Sequence, residues 1–111
     1  MLTLPSNIPV FVLSKPIDMR KSFDGLAALV IQSMKQDSHA TALYVFFNRT
    51  KDKVKILYWD RNGYGLWYKR LEEGRYRLPE HQSMSYQLSV SDLSCLLEGI
   101  DLLQKRRFKT L

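Results

Sequence analysis

Four short runs of β-branched and aromatic residues follow one another in the middle of this chain. Residues of these types favour strands over helices. The dipeptides Asn62-Gly63 and Glu73-Gly74, which separate the later runs, favour tight hairpin turns. The pattern therefore predicts a four-stranded antiparallel β-meander, with strands at residues 42–47, 54–59, 66–71 and 75–78.

Two amphipathic segments lie on either side of the predicted meander. From Met19 to about Gln36, apolar residues recur every three or four positions, and Asp18 is the candidate N-cap. A second helix is predicted after its candidate N-cap Ser91, with its end near Gly99. Further short strands fit residues 10–13 and 86–88. The predicted fold class is therefore α+β, an antiparallel four-stranded β-meander with two α-helices.

The length and composition indicate one globular domain. With 111 residues, 45% of them hydrophobic, the chain is long enough to bury one core. We expect the domain to occupy residues 1–103 and a flexible basic tail to occupy 104–111. A single cysteine and two separated histidines give no disulfide framework and no metal site. The chain contains no apolar run of the roughly 18 residues that span a bilayer, so a cytoplasmic protein without membrane contact is expected. No cofactor is expected either.

The net charge of +6 is unevenly distributed. Residues 49–79 carry nine basic and four acidic side chains, residues 80–100 carry three acidic and no basic ones, and residues 101–111 carry four basic and one acidic. Basic residues interleaved with aromatic ones are typical of surfaces that bind phosphates and stack on bases. The alternative is a solvated basic face that maintains solubility.

A two-residue Asn62-Gly63 loop would fix which residues share a face of the sheet. It places Trp59 opposite Leu66, Leu57 opposite Tyr68 and Lys55 opposite Arg70. If Arg49 to Asp52 form the preceding loop and Glu73-Gly74 is again a two-residue loop, one face is almost entirely apolar and is expected to pack against the helices as the core. It carries Leu43, Val45, Phe47, Val54, Ile56, Tyr58, Trp67, Lys69, Leu71, Tyr76 and Leu78.

The opposite face is aromatic at one end and basic at the other. Its like-charged row of Lys55, Arg70 and Arg77 is destabilising unless an anion such as a DNA phosphate neutralises it. The alternative is that one helix covers the aromatic end and the arginines rim the sheet in water. The face holds Tyr44, Phe46, Lys55, Leu57, Trp59, Leu66, Tyr68, Arg70, Arg75 and Arg77.

Arg20 and Lys21 fall in the first turn of the first predicted helix, where cations oppose the helix dipole. A bound anion would explain them. An intramolecular pair with Asp24 or Glu72 is the competing explanation.

The residues do not predict an enzyme. Nuclease chemistry requires carboxylates that converge on metal ions, and the acidic residues Asp18, Asp24, Asp60, Asp92 and Asp101 are scattered along the chain. Cys95 lies among leucines, which favours a buried, inert thiol over a reactive pair with His81.

Ordered motifs in the chain resemble a known bacterial family. They are Met-Arg-Lys-Ser-Phe-Asp-Gly-Leu at 19–26, Lys-Ile-Leu-Tyr-Trp-Asp-Arg-Asn-Gly at 55–63, Trp-Tyr-Lys-Arg-Leu-Glu at 67–72 and Leu-Leu-Glu-Gly-Ile-Asp at 96–101. They closely resemble the TnpB-type accessory proteins of bacterial insertion-sequence family sixty-six. The resemblance implies a bacterial, non-catalytic accessory factor of transposition, with a separate transposase as partner.

The charge pattern and the resemblance together predict a protein that binds DNA at the ends of the element, and that is nucleoid-associated as a result. The alternative is a protein-interaction module that bridges or stabilises the transposase through Trp59 and Tyr68. The candidate DNA-binding residues are Arg20, Lys21, Lys55, Trp59, Tyr68, Arg70, Arg75, Arg77, Lys105, Arg106 and Arg107.

Overall fold

The computed structural model describes residues 7–98, and these form an α+β fold around a mixed five-stranded sheet. The predicted tail at 104–111, with Lys105, Arg106 and Arg107, lies outside the described residues, as does Gly99. In chain order the elements are β1 (Val10–Leu13), α1 (Phe23–Gln32), β2 (Leu43–Phe47), β3 (Lys53–Asp60), β4 (Gly63–Arg70), β5 (Ser85–Leu88) and α2 (Val90–Leu97).

The prediction of a four-stranded antiparallel meander is wrong in two respects. The strand order is β4-β3-β2-β1-β5, and β1 pairs with β2 in parallel, because α1 carries the chain back across the sheet between them. The run at 75–78 is not a strand. The backbone NH of Tyr76 donates to the carbonyl of Lys51 at 2.7 Å, so this segment attaches to a loop instead of extending the sheet.

The β3–β4 hairpin has a register two residues away from the predicted one. Asp60 pairs with Gly63, so the loop is Arg61 and Asn62, and Arg61 has a positive φ of 55°. This register places Tyr58 opposite Gly65, where a Cβ would overlap the tyrosine ring. The predicted register would instead place a large side chain opposite Tyr58. Close packing of the Tyr58 ring on Gly65 explains why the observed register differs from the predicted one.

The apolar face was predicted correctly, although only one helix covers it. Val45, Val54 and Ile56 pack there with Leu93 and Leu96 of α2, and Tyr76 joins the same cluster. The other helix, α1, covers the opposite face. Because both faces are covered, all five residues of β2 are buried.

Helix α1 packs on the face that was predicted to be aromatic and basic. Leu26 and Val30 contact a cluster that includes Tyr44, Phe46 and Leu57. The expectation that both helices share one face is therefore wrong. The alternative that a helix covers the aromatic part of the second face is the arrangement observed.

Both helices begin at residues other than those predicted. Helix α1 begins at Phe23 with Ser22 as its N-cap, four residues after the predicted start, because Asp18 closes a turn before the helix. Helix α2 begins at Val90, and the Ser89 hydroxyl accepts from the backbone NH of Asp92 at 3.0 Å, which makes Ser89 the N-cap. Neither helix is long and apolar enough to cross a bilayer, within the residues described.

Candidate nucleic-acid interface

Lys55, one of the predicted DNA-binding residues, lies inside the protein. Its side chain extends from β3 under the turn that precedes α1, and the residue is only 6% exposed. The ammonium donates to the carbonyls of Met19 at 2.6 Å and Lys21 at 2.7 Å, and it lies 4.8 Å from the centre of the Tyr68 ring. Burial lowers the pKa of Lys55, and the nearby Asp18 carboxylate opposes that shift. The ammonium that the sequence predicted as a phosphate contact therefore donates to two backbone carbonyls of the chain itself.

The turn held by Lys55 presents the two cations predicted at the start of α1. The Asp18 carboxylate accepts from the backbone NH of Arg20 at 2.8 Å and from its guanidinium at 2.7 Å. These hydrogen bonds lower the pKa of Asp18 to about 2. Arg20 is therefore paired within the chain, as the competing explanation expected, although with Asp18 and not with Asp24 or Glu72. Lys21 is exposed beside it.

A second pair of cations lies directly across the β3–β4 hairpin. Lys53 pairs in register with Arg70, where the sequence predicted Lys55. Like charges opposite each other on neighbouring strands repel. Glu72 relieves part of this repulsion, since its carboxylate accepts from the Arg70 guanidinium at 2.9 Å. Next to this pair, Tyr68 is half exposed and offers an aromatic ring to the surface.

The β2–β3 loop continues the basic surface beyond the end of the hairpin. Asn48 orders this loop, because its side-chain oxygen accepts from the backbone NH groups of Asp52 and Lys53 at 3.1 and 3.0 Å. Hydrogen bonds from Asn48 and Thr50 lower the pKa of Asp52. The ordered loop and the chain after β4 enclose an open cavity of about 500 Å³, lined by Arg49, Thr50, Asp52, Gly74 and Arg75.

The cations of the turn before α1, of the β3–β4 hairpin and of the β2–β3 loop lie at one end of the sheet. This surface is called the basic end. The loop residue Asp52 connects its parts, because it precedes Lys53 and its carbonyl accepts from the backbone NH of Leu71 at 2.7 Å. Arg77 is exposed and follows Tyr76, which is bonded to the same loop. The basic end consists of Lys21, Arg49, Lys53, Arg70, Arg75 and Arg77.

Trp59 does not belong to this surface. It lies six residues along β3 from Lys53, which corresponds to about 20 Å in an extended strand. Its ring stacks on His39 with centroids 3.9 Å apart and meets Tyr64 edge-on at 5.0 Å. Trp59 and Tyr68 lie on one face of the sheet, as predicted, but Tyr68 pairs with Lys55, which is four residues along β3 from Trp59, or about 13 Å in an extended strand.

Two residues of the basic end, Arg49 and Lys53, were absent from the predicted set. The two-residue error in register concealed Lys53, because it assigned Lys55 as the partner of Arg70. Phe47 pairs with Val54, so the residues between them, including Arg49, form the β2–β3 loop. A correct hairpin register would have shown from the sequence that Lys53 lies opposite Arg70.

No group of three or more metal-ligating side chains occurs within residues 7–98. The two ion pairs near the basic end, Arg20 with Asp18 and Arg70 with Glu72, involve side chains that are largely exposed. Exposed ion pairs contribute little to stability. Neither ion pair therefore holds its arginine strongly.

Comparisons with known proteins identify relatives over nearly the whole chain. The family model described as "IS66 Orf2 like protein" matches residues 8–107. The uncharacterized proteins y4jC and y4hO of Sinorhizobium fredii are 30% and 34% identical to this chain. Each alignment covers 91% of this chain, and it covers 86% of y4jC and 88% of y4hO. No solved structure matches.

Proposed function

The chain belongs to the IS66 Orf2-like family, which implies an accessory role in transposition, and on that premise we propose that it binds DNA through the basic end. The proposal retains Lys21, Arg70, Arg75 and Arg77 from the predicted set and adds Arg49 and Lys53. Lys55 holds the turn beneath this surface, and Trp59 lies outside it.

The opposed pair of Lys53 and Arg70 is the observation that carries the proposal. Two cations directly across a hairpin repel each other, and a phosphate placed between them would remove that repulsion. Arginine also matches phosphate geometry with two parallel hydrogen bonds. The half-exposed ring of Tyr68 lies next to the pair, where it offers a surface for an aromatic contact with sugar or base.

An accessory role makes the element's transposase the expected partner in the reaction. The family is not known as an enzyme family, and in this proposal the chain supplies binding energy and position, while bond breaking is left to the transposase. DNA at the ends of the element is the substrate on which the two proteins would meet.

Salt dependence of binding tests the proposal. Each phosphate contact lowers log K by about 0.9 per unit of log salt concentration. We expect the full chain to bind duplexes of the element's terminal repeats with a slope of about −4 to −6 in fluorescence anisotropy. The double variant Lys53→Gln with Arg70→Gln should reduce the steepness by about 2.

A matched control removes the same charge from the opposite end of the sheet. Lys35 follows α1 and Arg61 lies in the β3–β4 turn, so Lys35→Gln with Arg61→Gln leaves the basic end intact. This control should keep the parent slope. If both double variants change the slope equally, or if the parent fails to bind duplex DNA at low salt, the proposed interface is wrong.

A specific observation also favours a second function, the contact with the transposase. Phe23 and Ile31 are 43% and 54% exposed on α1, although both are large and apolar. A large apolar side chain exposed at the surface is a candidate anchor for a protein interface. If Ile31→Asp abolishes co-purification with the transposase of the same element and leaves DNA binding unchanged, α1 is the partner-binding element. Unchanged co-purification excludes this surface.

A further inference from the structure

A second concave site adjoins the basic end. It is a cavity of about 430 Å³ between the end of β1 and the segment that leads into β5. This volume is within the range of small-molecule pockets. The residues that line it include Leu13, Lys51, Leu78, Glu80, His81 and Tyr86.

An aromatic pair forms one wall of this cavity. The rings of His81 and Tyr86 stack with centroids 3.9 Å apart and planes 13° from parallel. Tyr86 lies on β5, where it pairs with Val12 of β1, and its side chain packs against the core on the α2 side of the sheet. His81 is exposed, so a flat ligand can continue the stack on its outer side.

The polar groups around the cavity differ in charge. Lys51 lies in the β2–β3 loop, between Arg49 and Asp52, and so connects the cavity to the basic end. Glu80 and Gln82 flank His81 in sequence and line the same cavity. A carboxylate repels phosphate but accepts hydrogen bonds from the amino groups of nucleobases. The arrangement therefore favours a base beside His81 and a phosphate toward Lys51.

We propose that this cavity binds an unpaired nucleobase of a DNA strand whose duplex portion lies on the basic end. The inference rests on the proposed DNA-binding function and extends it to the junction between paired and unpaired DNA. Stacking on aromatic rings is the principal means by which proteins hold single-stranded bases. Duplex DNA does not present a free base face, and so it would occupy the basic end alone.

The test compares the full chain on a blunt duplex and on the same duplex with a single-stranded deoxycytidine overhang, whose bases carry the amino group that Glu80 would accept from, in fluorescence anisotropy. Loss of one stacked base through alanine substitution typically weakens binding by about five- to a hundredfold. We expect tighter binding to the overhang than to the blunt duplex, and we expect His81→Ala to remove that gain without changing blunt-duplex affinity. His81→Phe, which retains a flat ring, should preserve the gain.

The chain offers a matched control in His39, whose ring stacks on Trp59 at the same 3.9 Å separation. His39→Ala should keep the gain on the overhang. Equal affinity of the parent for blunt and overhang duplexes overturns the inference but leaves the proposed function standing, whereas failure to bind either duplex removes both. Tighter binding of oligoribocytidylate than of oligodeoxycytidylate, or of free deoxycytidine monophosphate than of the overhang, assigns the cavity to another ligand and also overturns the inference.

Discussion

Replacement of Lys55 by methionine tests whether this lysine is structural or contacts DNA. Methionine keeps a long apolar stem beside Tyr68 but removes the ammonium that donates to the carbonyls of Met19 and Lys21. Two hydrogen bonds from a charged donor are worth about 3 to 6 kcal/mol together. Loss of the charge also removes its desolvation penalty, which amounts to several kcal/mol for a buried ion. We therefore expect a net loss of about 1 to 3 kcal/mol in the free energy of unfolding.

Urea denaturation followed by tryptophan fluorescence measures this loss. Lys53→Met is the matched control, because Lys53 lies two residues earlier on the same side of β3 and is partly exposed. Its substitution should change stability by no more than about 0.5 kcal/mol, while it lowers the steepness of the salt dependence by about 1. If Lys55→Met is as stable as the parent but lowers that steepness as Lys53→Met does, then Lys55 contacts phosphate and the assignment made here is wrong.

Three further predictions concern the core and the helices. Gly65→Ala should lower the free energy of unfolding by about 1 to 3 kcal/mol, because a Cβ would overlap the Tyr58 ring. In a double-mutant cycle, Tyr58→Ala should relieve part of that loss. Tyr76→Phe should leave stability unchanged or raise it by about 1 kcal/mol in thermal denaturation, since its buried hydroxyl has no partner within residues 7–98. Burial raises the pKa of Tyr76 from 10.0 to about 12. Between about pH 10 and pH 12 the unfolded chain therefore loses the phenol proton while the folded chain keeps it, so the free energy of unfolding should fall over this range. The fall should be less steep in Tyr76→Phe. Ser89→Ala should cost about 1 kcal/mol in urea denaturation because it removes the hydroxyl that accepts from Asp92, and an unchanged midpoint would contradict that role.

The sequence predicted the faces of the sheet better than its topology. A register error of two residues leaves every side chain on its correct side, because strand side chains alternate with a period of two. Val54 and Ile56 were therefore assigned correctly to the core although their partners were wrong. An error of one residue would have exposed them.

The topology depends on contacts that local patterns do not encode. Residues 10–13 were recognised as a strand, but a short apolar run does not indicate that it lies between β2 and β5 with a parallel neighbour on one side. The run at 75–78 has the alternation of a strand, with Tyr76 buried and Arg75 and Arg77 exposed. Its backbone is bonded to the carbonyl of Lys51 in a loop, and that outcome depends on the tertiary position of the loop.

The buried position of Lys55 could not be predicted from the sequence. A lysine between apolar neighbours on a strand has the same sequence signature whether it faces a ligand or a carbonyl of the chain itself. Here the acceptors are 34 and 36 residues earlier in the chain, so only the tertiary structure identifies them.

The same contact makes Lys55 a positioning residue for the basic end. Its ammonium fixes the carbonyl of Lys21, and the Lys21 side chain is exposed at the turn so held. If Lys55 acts through this turn, its replacement should weaken DNA binding mainly by releasing Lys21. Lys55→Met and Lys21→Gln should then be non-additive in a double-mutant cycle of DNA affinity, whereas two independent phosphate contacts would add.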